Sequence, residues 1–282
     1  MIEVIFLLSL AFIWILFATI YDFKTTEIPN WLNFSLILFA LGFRFFYSLF
    51  SSSNFNFFYQ GLIGLVIFFV IGNLLYYGKI FGGGDAKLMI SLGSILPLSY
   101  NLINNLQIFI IFLLLFFLCG SVYGIVASGY FAVKNFRKFK KDFIIRYKKL
   151  LRTNIVLSLL GILIMIGGLF SDILLFYLGI IVFIMPILYV YVKSVDESCM
   201  IKKLNPKLLR EGDWLYKDVK VGNRVIKANW DGLKKEDIKL LTKKNKSVMI
   251  RQGVAFGLVF LISFLLLLYI YFINTGLWNS FW

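Results

Sequence analysis

Gly82-Gly83-Gly84-Asp85-Ala86-Lys87, followed by the apolar run Leu88–Leu98, is the stretch on which the topology turns. A spanning helix needs roughly 20 apolar residues, so Leu88–Leu98 is too short to cross a bilayer alone. Extended back through Asp85, it is expected to cross as a short helix buried among longer ones. Those longer ones are read at Val4–Tyr21, Leu32–Phe50, Leu62–Tyr77, Leu106–Val133, Ile155–Phe170, Ile173–Val192 and Val254–Ile273. The loops between them test the threading. Residues 134–152 carry nine Lys/Arg against Asp142 alone, and residues 193–251 carry 16 Lys/Arg against eight Asp/Glu. Ser51–Gln60 and Ser99–Asn105 carry no charge. Eight spans with the start of the chain outside put every basic loop in the cytoplasm and every neutral loop outside, as the positive-inside bias requires. Without the Gly-Asp segment, its loop and the first basic loop fall on opposite sides.

Composition agrees with this class. The 282-residue chain is 60% hydrophobic, with a mean hydropathy of +0.87, more apolar surface than a soluble domain can hide. The fold expected is therefore all-α and polytopic, with about eight transmembrane segments, one of them short. The net charge of +15 lies in blocks between apolar runs, which argues for cytoplasmic loops and against nucleic acid. The first run carries Glu3 and leads into Asp22 rather than a small-residue cleavage site; it is expected to be a retained helix. Five regions follow: a membrane core with both aspartates (1–133), a basic cytoplasmic loop (134–152), a transmembrane hairpin (153–192), a small α+β cytoplasmic insertion (193–251), and a last span with a short tail (252–282). In the insertion, Lys217–Val221 and Arg224–Ala228 flank Gly222-Asn223, a hairpin signal, and Leu233–Lys243 has the spacing of a short amphipathic helix.

Two acids stand at the ends of apolar segments: Asp22, within Tyr21-Asp22-Phe23, and Asp85. Ionisable groups at membrane depth mark functional sites. In the eight-span threading Asp22 ends the first span and Asp85 begins the fourth, both at the cytoplasmic face, so the two carboxylates can meet. There is no His, and Cys119 and Cys199 are the only cysteines. Histidine acid–base chemistry and a four-ligand Cys/His zinc site within the chain are thereby excluded. Two close carboxylates cannot both ionise. One takes a proton from water as general base, and the other donates to a carbonyl oxygen, which is what peptide hydrolysis needs. The bland alternative makes Asp85 the N-cap of a helix Ala86–Leu98. Asp22 resists that explanation, because the C-terminal end of a helix is the negative end of its dipole.

Supporting roles are expected of Gly82, Gly83 and Gly84, which let backbone approach closely. Lys87 points to another helix face than Asp85, where it tunes the site or snorkels. Pro29 starts the second span, and Asn30 satisfies backbone at that turn. Glu27 reads as a solvated loop residue. Arg44, within a span, is expected to snorkel outward. Gly120, Gly124 and Ser128 make a small-residue stripe of the kind used in helix packing.

Asp22-x5-Ile28-Pro29-Asn30 followed by Gly82-Gly83-Gly84-Asp85-Ala86-Lys87, with the acids 63 positions apart, resembles the type IV prepilin peptidase family of GxGD membrane aspartyl proteases. A softer likeness to archaeal members runs from Leu209 to Trp214, through Asp231-Gly232-Leu233, to Ile250–Gly253. The resemblance implies that Asp22 and Asp85 are the catalytic pair, with no metal and no cofactor. It implies precursors of pilins or archaellins as partners, cut at the cytoplasmic face of the cell membrane. Residues 193–251 would then be a lid or leader-reading element. Bacterial members often carry a four-cysteine zinc element and methylate the new N-terminus; the missing cysteines favour the archaeal branch. Two other readings share part of this pattern. A presenilin-like or signal-peptide-peptidase-like enzyme shares Tyr-Asp and GxGD, but no Pro-Ala-Leu follows near the C-terminus. A cation or proton transporter would place its acids near the midplane between repeats, and no repeat is visible.

Overall fold

The computed structural model describes residues 2–51, 55–222, 224–229, 232–251 and 253–273; Asn223, Asp231 and Gln252 of the segments just named lie outside the described residues. Among these the protein is mostly helical, with a small β region. Six helices are long and apolar enough to cross a membrane. They are α1 (Ile2–Thr25), α2 (Asn30–Phe50), α3 (Asn56–Tyr77), α5 (Leu102–Lys134), α7 (Leu151–Phe170) and α8 (Ile173–Cys199). Between α3 and α5 lies the short α4 (Gly83–Leu92). Between α5 and α7 lies α6 (Phe136–Lys149). A short surface helix, α9 (Lys235–Lys243), and the apolar α10 (Gly257–Phe272) complete the set.

The chain divides into two compact units: the described residues of Met1–Gly124 with Val254–Trp282, and Ile125–Gly253. In the first unit α1, α2, α3, α4, α10 and the first part of α5 share one apolar core. Leu7, Leu36, Phe68, Met89, Phe112 and Phe260 are shut off from the surroundings within it. Residues just as apolar, such as Leu38, Phe39, Phe46 and Phe69, face outward. A helix apolar on all sides is stable only where the surrounding solvent is itself apolar.

The approach to Asp85 is set by how α3 ends. The Lys79 amide bonds the Tyr76 carbonyl and the Ile80 amide reaches back to Leu75, both at 3.0 Å, the paired bonds of a Schellman stop. Lys79, rather than the neighbouring Gly78, takes the left-handed conformation at φ 60°. The short helix α4 is then held against α3 where Gly64 and Gly93 cross. A Cβ on Gly93 would stand 2.5 Å from the Gly64 carbonyl oxygen, so the backbones touch directly.

Helix α4 stops at Leu92, well short of the Leu98 expected, and Arg44 explains why. The amides of Gly93, Ser94 and Ile95 bond back three residues as tight turns, and Pro97 lacks the N–H needed to continue. The carbonyls freed at Ser94, Ile95 and Pro97, and that of Phe57, all accept from the Arg44 guanidinium at 2.5–3.0 Å. Its charge also sits 4.3 Å from the centre of the Phe57 ring. Arg44 is 0% exposed: it is drawn inward to orphaned carbonyls instead of snorkelling. With five donors in a planar fork, arginine is suited to that task.

In the second unit α7 and α8 pack closely. A Cβ on Gly161 would meet the Phe183 amide nitrogen at 2.6 Å, and one on Gly179 would meet that of Met165 at 2.5 Å. Beyond α8 the strands β1 (Ile201–Leu204), β2 (Trp214–Leu215) and β5 (Val248–Arg251) make an antiparallel sheet in the order β1-β5-β2. A separate hairpin pairs β3 (Val219–Val221) with β4 (Arg224–Ile226). Leu215, Val221, Ile226, Leu233, Leu241 and Ile250 form its small core.

Replacing Arg44 by Met keeps much of the volume but leaves four buried carbonyls without their donor. A loss of roughly 3 kcal/mol or more is expected, since each buried unsatisfied group costs about 1–3 kcal/mol. A thermal melt in detergent followed by circular dichroism measures it; an unchanged midpoint would mean the carbonyls find other partners.

Candidate active site

Asp22 lies in the last turn of α1, 5% exposed. Its Oδ2 accepts from the Gly257 amide at 2.6 Å, and the Phe256 amide also bonds the carboxylate. These are the first amides of α10, which has no side-chain cap of its own. Helix N-termini leave amides unpaired, and a carboxylate there is favoured by hydrogen bonding and by the helix dipole together. Asp22 is thus a cap supplied from another helix. The surroundings hold that contact in place. The Thr19 hydroxyl, one turn before Asp22, bridges the carbonyls of Ile15 and Gly257 at 2.8 and 3.0 Å. The Tyr123 hydroxyl donates to the Ala255 carbonyl at 2.7 Å, within electrostatic reach of Asp22. A side chain on Gly257 has no room, since its Cβ would stand 3.0 Å from Thr19 Cα and 3.1 Å from Asp22 Oδ2.

Just past Asp22 the chain turns sharply. The Thr26 amide bonds the Asp22 carbonyl at 2.8 Å, and Thr26 sits at φ 55°. A β-branched residue in that region is strained, and such strain gathers where the surroundings over-determine the backbone.

Helix α4 begins at Gly83 with Gly82 as its N-cap, so Asp85 is the third helical residue and not the capping residue. Its half-buried carboxylate reaches back to the Gly82 amide, which is one half of a capping box. It also lies close enough to Asp22 for the two to interact electrostatically. The end of α1 and the start of α4 thus place the two acids within electrostatic reach of each other.

The other predicted residues tie the two motifs to each other. A Cβ on Gly84 would stand 3.0 Å from the Ile28 amide nitrogen and 3.1 Å from Ile28 Cβ, so the α1–α2 turn packs directly on the Gly-Asp segment. Lys87 donates to Asn30 Oδ1 at 2.6 Å; it neither snorkels nor contacts the acids. Pro29 caps α2 at φ −62° and ψ 139°, its carbonyl accepting from Leu32 at 3.1 Å. Asn33, 1% exposed, turns its amide nitrogen toward the Gly84 carbonyl at 3.5 Å, and its Oδ1 has no partner among the described residues. Gly82 and Gly83 are more open, with Asp85 Oδ2 3.3 Å from one Cβ position and the Tyr76 ring 3.8 Å from the other. Glu27 is exposed. In the small-residue stripe, Gly120 faces the Phe256 ring, 3.1 Å from its Cβ position, and a Cβ added at Gly124 would meet nothing within 4 Å.

Thr19, Asn33, Tyr123, Phe256 and Gly257 escaped the sequence reading. Thr19 had a signal, since three residues before Asp22 puts it on the same helix face. The last helix had none: two backbone amides carry the contact, and any residue type supplies those. Among the described residues no group of three or more His, Cys, Asp or Glu could hold a metal.

Residues 9–125 match the sequence profile of the type IV leader peptidase family. The chain is 33% identical over 88 residues to a preflagellin peptidase of Methanocaldococcus jannaschii, an alignment covering 31% of this chain and 36% of that one. To a preflagellin peptidase of Methanococcus maripaludis it is 30% identical over 83 residues, 29% of this chain and 35% of the other. The chain thus spans about a third of the length of these curated relatives. No solved structure matches it significantly.

The glycines make a contrasting pair for test. Gly84→Val drives a side chain into the Ile28 backbone and should destabilise by about 1–3 kcal/mol, the usual range for overpacking. Gly83→Ala, with its Cβ position 3.8 Å from the Tyr76 ring, should shift the melting midpoint little. Equal midpoints for the two variants would disprove the close approach of the motifs.

Proposed function

We propose that this chain, whose residues 9–125 match the type IV leader peptidase family, is a membrane aspartyl endopeptidase of that family. Its reaction is removal of the short basic leader from type IV pilin-like or archaellin precursors at the cytoplasmic face of the membrane. The observation that carries this reading is that Asp22 and Asp85 lie within electrostatic reach of each other in a unit otherwise built from apolar helices. The likeness to archaeal preflagellin peptidases supports the choice of substrate. The eight-span topology belongs to the same proposal: six long helices, α4 and α10, with the basic segments cytoplasmic.

In the proposed reaction the two carboxylates share one proton. The ionised one removes a proton from the attacking water, and the protonated one donates to the scissile carbonyl oxygen. Neither acid is assigned one role, because such a pair titrates as a unit. The amides of Phe256 and Gly257 hold the Asp22 carboxylate at a fixed angle, so it need not reorganise as charge develops. The apolar helix of the precursor docks laterally, and its leader extends into the cytoplasm.

Processing of an archaellin or prepilin precursor in membranes tests the pair. Asp22→Asn and Asp85→Asn, at expression equal to wild type, should each abolish cleavage, because Asn keeps the size and removes the titratable proton. Cleavage surviving either change would refute the two-acid mechanism. The rate should follow a bell-shaped pH profile whose limbs belong to the pair.

Gly257→Val is expected to push Asp22 off its amides and to lower kcat by about 10²-fold, the scale of a 1 Å misplacement. A thermal melt in detergent beside wild type separates this loss from a failure to fold. Full activity in a folded Gly257→Val protein would remove α10 from the site.

A further inference from the structure

Helix α6 takes no part in the site described above. Its half-buried positions, Phe139, Asp142, Phe143, Arg146 and Tyr147, recur at helical spacing and form one face. That face packs on α8: Arg146 bonds Glu197 at 2.6 Å, and the Phe139 ring lies 5.6 Å from that of Tyr191. Asp142, the helix's lone acid, is turned the same way and bonds Arg146 at 2.6 Å. The negative charge of α6 is therefore used within the fold. The opposite face is exposed and carries Arg137, Lys138, Lys141, Lys148 and Lys149. Between them stand Ile144 and Ile145, 42% and 55% exposed.

Two observations narrow what this face binds. One is placement. A single residue, Asn135, separates α6 from α5, and a single residue, Leu150, separates it from α7. Both neighbours are long and apolar enough to cross a membrane. With consecutive Cα atoms 3.8 Å apart, each end of α6 stays within one or two residues' reach of a membrane-crossing helix. The helix is thereby tethered at both ends to helices that can cross the membrane, on one side of it. The other observation is the pair of isoleucines. A polybasic face that only repels the bilayer interior and fixes topology has no use for exposed apolar side chains, whereas at the interface Lys and Arg can reach headgroups while apolar side chains beside them reach the acyl boundary.

We infer that α6 is an interfacial helix that binds anionic phospholipid, with Arg137, Lys141 and Lys148 at the headgroup phosphates and Ile144 and Ile145 against the acyl boundary. The occupant is a lipid because the helix is held where anionic headgroups are concentrated and because the isoleucines have no role toward a soluble anion. Each basic residue near an anionic surface strengthens association about fivefold. This inference is independent of the peptidase reading.

The test uses the full chain in nanodiscs of phosphatidylcholine containing increasing phosphatidylglycerol, with lipids retained on the released protein counted by native mass spectrometry. Wild type should retain phosphatidylglycerol in preference to phosphatidylcholine. R137Q/K141Q/K148Q should weaken that preference by at least tenfold, toward the hundredfold that three independent contacts imply. K203Q/K239Q/K243Q changes the net charge equally at exposed positions outside α6 and should leave the preference intact. Raising salt on wild type alone should also weaken it, a readout that does not depend on any variant folding. Equal retention by wild type and the α6 variant, or equal loss in the control variant, would overturn the inference. So would tight binding of heparin by wild type in pure phosphatidylcholine discs without phosphatidylglycerol preference, since the face would then serve a soluble polyanion.

Discussion

A carboxylate in the last turn of an apolar helix is doubly disfavoured: it is buried, and it stands at the negative end of its own helix dipole. In this protein both difficulties are met at Asp22 by the first amides of α10, 235 positions away in the chain. The consequences spread outward. Helix α10 must start at that point, so Gly257 must lack a side chain, Thr19 must present its hydroxyl to the Gly257 carbonyl, and Tyr123 must hold the Ala255 carbonyl. Phe260, Phe264 and Leu267 then fall into the shared core. A helix that reads as one more apolar span is the piece that makes the acid at the end of α1 tenable.

The same economy governs the rest of this unit. Polar groups inside it are few, and several meet a backbone group left over by an interrupted helix. Arg44 collects the carbonyls released between the end of α4 at Leu92 and Pro97. Asn105 bonds the Ser99 amide and carbonyl and also Gln60. Where water is absent, each break in a helix needs its own side-chain partner, so buried polar residues and helix ends occur together.

What the sequence disclosed follows from which forces are local. Apolar length made the six long helices and α10 legible, turn chemistry disclosed the β3–β4 hairpin, and amphipathic spacing disclosed α9. The two acids stood out because nothing apolar explains them. The inward turn of Arg44 was hidden, because it depends on carbonyls freed about 50 positions away. The place where α4 ends was hidden for the same reason, and an apolar run says nothing of where its backbone turns tight. The partners of Asp22 were hidden most deeply: they are amides, which carry no residue signature. Lys87 and Asn30 were both singled out, but their mutual hydrogen bond joins sites 57 positions apart and could not be read from either motif alone.

That bond, with the contact of Gly84 on Ile28, makes the two motifs one object, and it divides labour among the three glycines. All three remove side chains from the approach to Asp85, but they do not leave the same space. At Gly84 the space is already filled by the Ile28 backbone, so this glycine serves internal packing. Only at Gly82 and Gly83 is backbone left uncovered, beside the Asp85 carboxylate and the Tyr76 ring. In the proposed reaction an unwound substrate segment would therefore meet Gly82 and Gly83, while Gly84 fixes the distance between the turn after Asp22 and the helix that carries Asp85. In that proposal an apolar substrate helix must expose one peptide bond to two acids whose own positions are set by backbone contacts. A glycine used for packing next to two left open meets both demands within three residues.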